Sequence, residues 1–193
     1  MAKFNKVSAD AFKNIQKGAG NVLSKFDITG KTTIADEDII CATTGGVNAT
    51  CVPSYVDYGE DIDNVPTNTL ELKEIDSWEA KMSFTALDCT DDVFKLSLGA
   101  ADVTTDSTTS VQTIKPRATL KTSDFKDVWW VGPTKGDGWC AIKLSNALST
   151  GGLSIQSTDD GKGNLAVELT GHFSIDDTDT VPMEFYVSAG TSE

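Results

Sequence analysis

Apolar and polar residues alternate with a period of two along much of this chain, most cleanly in two segments. Over 71–87, Trp78, Ala80, Met82, Phe84 and Ala86 fall on one side, with Glu79, Lys81, Ser83 and Thr85 on the other. Over 165–175, Leu165, Val167, Leu169 and Phe173 oppose Glu168, Thr170, His172 and Ser174. Successive side chains of a strand point to opposite faces, so each segment predicts a strand with one buried and one polar face. Shorter apolar runs at 125–131, 139–147, 153–157 and 183–187 stop at Gly, Asp or Pro and read as further strands. The turn-prone residues 149–152 predict that 139–147 pairs with 153–157, and 159–163 predict a second hairpin turn.

One helix is predicted, over 91–101. Thr90 stands where an N-cap is needed, Asp91 and Asp92 face the positive end of the helix dipole, and Val93, Leu96 and Ala100 recur at helical spacing. Residues 9–17 predict a short helical turn ended by Gly18-Ala19-Gly20, and 21–27 a short strand or extended arm. Residues 39–58 predict two apolar stretches with a hairpin-like break at 43–46. Residues 59–70, acidic and without periodicity, predict a long loop, and 102–110 a flexible connection. Together these elements predict a mainly β chain forming a single domain over 1–193.

Charge divides the domain. Residues 1–35 hold six Lys and two Asp, a basic N-terminal arm, whereas 36–120 hold sixteen acidic and five basic residues. A basic arm on an acidic body is suited to lie on a neighbouring copy of that body. A single arginine, Arg117, and a net charge of −13 argue against ordinary nucleic-acid binding, which depends on Lys and Arg releasing counterions. No apolar run is long enough for a membrane-spanning segment. The absence of an apolar stretch after Lys3 and Lys6 predicts a protein made and folded in a cytoplasm.

Catalytic chemistry finds little to stand on. Nucleophile-elbow, phosphate-loop and zinc-protease motifs are missing, so the chain is expected not to be an enzyme and to carry no cofactor. Cys41, Cys51, Cys89 and Cys140 contain no close pair and are expected to be reduced, although Cys41 and Cys51 stand at a distance that a hairpin would bring together. Asp57, Glu60, Asp61 and Asp63 lack the spacing of a calcium loop. His172 reads as a surface or interface histidine. Trp129 and Trp130, adjacent in a strand, must face opposite ways, so one fills the core and the other needs cover from the helix or a second subunit. With Trp139, an exposed indole would instead offer a stacking platform for sugars.

The segments ATTGGVNAT, YGEDIDNVPTNTLELKEIDSWEAKMS, PRATLKTSDFKDVWWVG, AIKLSNALSTGG, LTGHFSI and VPMEFYV, with Leu96 to Asp102, resemble the major tail (tail tube) proteins of long-tailed bacteriophages. The likeness runs from about Ala42 to Gly190. It implies a β-sandwich or half-barrel with one flanking helix, whose copies form hexameric rings stacked into a tube. In such a tube strands of neighbouring subunits join one inner barrel, and genomic DNA passes through without specific binding. The implied location is the virion tail, assembled in the host cytoplasm, with tape measure, terminator and distal tail proteins as further partners. On this reading Glu79, Lys81, Glu168 and His172 are expected to face the lumen, which is expected to be acidic. Asp61, Asp63 and Trp130 are expected at subunit contacts, with the 59–70 loop and the basic arm joining ring to ring. A carbohydrate-binding or adhesin module, a capsid decoration protein and the tube of a contractile tail remain the alternatives.

Overall fold

Among the described residues, nine strands form one large antiparallel sheet and two more form a short companion hairpin. The computed structural model describes residues 7–29 and 33–188. The main sheet is built from β1 (Asn21–Leu23), β2 (Ile39–Cys41), β3 (Thr43–Asp57), β4 (Lys73–Ala86), β7 (Lys126–Pro133), β8 (Trp139–Ser149), β9 (Ser154–Gln156), β10 (Asn164–Thr170) and β11 (Met183–Ser188). Its order is β2-β1-β7-β8-β10-β4-β3, with β11 on β8 and β9 on β10. A separate hairpin joins β5 (Ala101–Thr105) to β6 (Gln112–Pro116).

The two halves of the sheet meet through only two residue pairs, Leu169 with Ser149 and Thr170 with Leu148. Its main core draws on both: Val22, Val128 and Leu144 from one side, Met82, Leu165, Val167 and Leu169 from the other. The sheet therefore folds over on itself around a shared interior. Helix α1 (Asp91–Leu98) contributes Val93 to the same core and is capped by Thr90, whose Oγ1 accepts the Val93 N–H at 3.3 Å. The helix ends earlier than its apolar spacing predicts because Gly99 takes a positive φ of 73° and Ala101 begins β5.

The alternation read from β4 is observed over 79–86: Ala80, Met82, Phe84 and Ala86 are buried, and Glu79, Lys81, Ser83 and Thr85 reach solvent to differing degrees, whereas Trp78 is only half-buried and 73–77 are exposed on both faces. A second, smaller cluster of Leu23, Trp129, Val131 and Ala141 covers the other face of the β1–β7–β8 half. Strand β7 is consequently apolar on both faces, which explains its unbroken Val-Trp-Trp-Val run.

Several local expectations are corrected. Residues 43–57 form one strand with a bulge at Gly45 and Gly46, both at positive φ, and no hairpin break. Cys41 and Cys51 therefore lie on different strands, and all four cysteines are free. Strand β9 pairs with β10 and not with β8, whose length is taken up by β7, β11 and β10. The expected flexible connection 102–110 contains most of β5. The basic arm is no free extension from Gln16 onward: Gln16 bridges to Thr134, and β1 lies between β2 and β7. Residues 1–6, with Lys3 and Lys6, lie outside the described residues.

Candidate functional site

The polar side of β3, β4 and β10 forms one surface across three paired strands. Register places Thr50 and Thr170 on either side of Lys81, and Asn48 and Glu168 on either side of Ser83. Behind them, the intervening residues Met82, Val167 and Leu169 are buried, so the orientation of this face is fixed by the core and not by its own contacts.

Three of the four residues expected on such a face come together here. Lys81 Nζ lies 2.5 Å from Glu79 Oε1, and the ammonium is held above its ordinary pKa by that hydrogen bond first, then by the Glu79 and Glu168 charges. The remainder is chiefly Ser, Thr and Asn. A strongly acidic face is therefore not what the fold presents: a Glu79–Lys81 pair, with the Glu168 charge acting on the same ammonium, sits in a field of hydroxyls. A depression of about 440 Å³ at the bulge is lined by Thr44, Asn48, Ser83, Thr85 and Ser154 together with Glu168.

His172 departs from this group. The β10 ladder ends at Thr170, the Gly171 N–H donates to the Ala80 carbonyl at 2.9 Å, and a Cβ at Gly171 would meet Leu144 Cδ1 at 2.8 Å. Beyond that tight passage the imidazole Nδ1 lies 3.1 Å from the Asn146 carbonyl, and the ring packs edge-on against Phe125. Phe173, expected in the core, is 42% exposed for the same reason.

The acidity concentrates at the far end of β3 and β4. Beyond Ala80, no further strand among the described residues lies beside this pair, which continues as a two-stranded ribbon tipped by residues 58–72. Residues 57–76 hold seven acidic residues and one lysine. The same ribbon exposes Tyr55, Tyr58, Ile62, Leu70 and Ile75, each to 48% or more. The tip is nonetheless built: Asp57 accepts N–H groups from Gly59 at 2.9 Å and Asn68 at 2.7 Å, and Lys73 Nζ donates to Asn68 Oδ1 at 2.8 Å. Asp61, Asn64 and Asn68 take positive φ, the conformation that Asx residues tolerate best. Asp61 and Asp63 are both exposed there. No group of three or more metal-binding side chains occurs among the described residues.

Trp130, expected at a subunit contact, is half-buried against its own chain. Its indole N–H donates to the Ala19 carbonyl at 2.9 Å, with Gly20 and Gly132 against the ring. Trp129 stacks on Tyr186 at 5.4 Å, and Trp139 meets Phe26 edge-on at 5.1 Å. The sequence named these tryptophans but gave no sign that residues 16–26 would cover them. No helix among the described residues is long and apolar enough to cross a membrane.

No protein-family model matches the chain, and no curated protein sequence matches it.

Proposed function

We propose that the protein is a structural subunit that assembles with copies of itself into stacked rings around a channel, as the tail tube of a long-tailed phage does. The observation that carries this reading is the sheet itself. One face is hydroxyl-rich and turned away from the core, while among the described residues no strand pairs with the outer edge of fifteen-residue β3. A long open edge invites pairing with another strand, and closure into a ring removes it. Glu79, Lys81 and Glu168 then line the channel, where hydroxyls and a clasped lysine present little to hold DNA phosphates.

The sugar-binding alternative draws less support. It requires an open indole face, and Trp129, Trp130 and Trp139 are each engaged by Tyr186, Ala19 or Phe26. Negative-stain microscopy of the purified protein over a range of concentrations tests the proposal. Rings or tubes with a central channel are expected, and monomers throughout would refute it.

A further inference from the structure

We infer that the row Asn48, Ser83 and Glu168, on the polar side of β3, β4 and β10, is a binding site for a primary alkylammonium ion, the charged form of a small linear amine. The site lies within a single subunit and goes beyond the tube reading without resting on it.

A depression exists here because small residues meet on neighbouring strands. In one cross-strand row Thr85 stands between Thr44 and Ala166, with Ser154 beyond Ala166. The bulge places Gly45 and Gly46 at the rim, where a Cβ would meet nothing within 4 Å. In the next row Ser83 stands between Asn48 and Glu168. Residues 150–152 close against Glu168 from the far side. The Thr150 N–H donates to the Glu168 carbonyl at 3.0 Å, and a Cβ at Gly151 would meet Glu168 Cβ at 2.9 Å. The space left, about 440 Å³, is of the size that small ligands occupy.

The polar groups around it are open to a ligand. Among the described residues, the side chains of Asn48, Ser83, Thr85 and Ser154 make no hydrogen bond, and Glu168 acts on Lys81 through its charge alone. An ammonium group has three donors and no acceptor. Side chains side by side in a sheet stand about 5 Å apart at Cβ, so a nitrogen above Ser83 can reach Ser83 Oγ, Asn48 Oδ1 and a Glu168 oxygen together. The methyl groups of Thr44, Thr85 and Ala166 then lie in the adjacent row for the alkyl chain.

The lining also selects against other ligands. It holds Glu168 and no Lys or Arg, so an anion finds no counter-charge. Lys81, one step along the same face of β4, is taken up by Glu79. Phe84, the one aromatic among the lining residues, is buried in the core and offers a sugar no stacking face. One carboxylate is too few for calcium, which gathers six to eight oxygens.

Calorimetric titration of the intact protein with n-butylammonium chloride, at constant ionic strength, tests the site. Saturable binding is expected. Tetramethylammonium, charged but without N–H donors, and n-butanol, without charge, are each expected to bind at least about tenfold more weakly. Glu168→Gln should weaken butylammonium binding about tenfold, and Asn48→Ala and Ser83→Ala roughly threefold each. Glu168 and Asn48 are exposed, so their replacement spares the core. No saturable binding, tetramethylammonium bound as tightly as butylammonium, or Glu168→Gln binding like wild type would overturn the site. Saturable binding by protein that stays monomeric would uphold the site and refute the tube, whereas tubes that bind no amine would overturn the site alone.

Discussion

The indole N–H of Trp130 donates to the carbonyl of Ala19 at 2.9 Å, and Gly20, at φ 72°, lies directly against the same ring. A Cβ at Gly20 would come within 2.5 Å of Trp130 Nε1 and 2.6 Å of the Val131 carbonyl. Gly20→Ala is therefore expected to combine backbone strain with overpacking and cost about 2–4 kcal/mol. Denaturant unfolding with Trp fluorescence measures it; an unchanged midpoint would show that the arm does not hold the ring. The same relationship makes truncation of residues 1–20 a poor probe of assembly, because it uncovers Trp130 inside the subunit.

Asp57 organises the ribbon tip. The amides of Asn68 and Gly59 hold its carboxyl below the ordinary carboxylate range. The folded value is the depressed one, so its contribution is fully present above the unfolded value of about 3.9 and is lost as pH falls through the lower folded value. Amide exchange at Asn68 should accelerate in that acid window, and in Asp57→Asn it should already be fast at neutral pH. Equal protection in both proteins at neutral pH would remove Asp57 from this role.

Lys81 contributes little to stability through its pair with Glu79, since the two side chains are 35% and 59% exposed. Its effect is expected in assembled tubes. Glu79→Gln/Glu168→Gln should leave the unfolding midpoint nearly unchanged while making tubes retain a DNA oligonucleotide, with release by added salt. Adding Lys81→Gln should abolish the retention. Retention that survives the loss of Lys81 would mean that this face is not where DNA is held.

Leu144 is fully buried where the two halves of the sheet share their core, with Gly171 packed close to its Cδ1. Leu144→Ala is expected to cost roughly 2–5 kcal/mol through lost burial and the cavity left behind. A loss under about 1 kcal/mol in denaturant unfolding would show a core loose enough to collapse on the gap.

What the sequence disclosed follows from how local each signal is. The two faces of β4 were legible because one strand's alternation is enough to define them, and Thr90 was legible as a cap because capping spans three residues. The choice of β10 over β8 as the partner of β9 was not, since pairing is settled by the whole sheet. Strands β5 and β6 were hidden by threonines: apart from buried Ala101, only Val103 and Ile114 show partial burial among residues that otherwise resemble a linker. Glu79, Lys81 and Glu168 were found together because strand parity carries across a ladder. His172 was misplaced because parity was extended past Gly171, where the chain leaves the ladder. The cover over Trp130 depended on a contact between residues 111 positions apart, which no periodicity encodes.

The β3–β4 ribbon also has a mechanical character. Its inner half is anchored in the core through Ala80, Met82, Phe84 and Ala86, and its outer half stands clear of the body. A pull applied along the ribbon at its tip loads many cross-strand bonds together in shear, instead of peeling them one by one. Strain on the tip is thereby delivered to a strand whose inner half is embedded in the core, which makes the ribbon a stiff tether rather than a compliant loop.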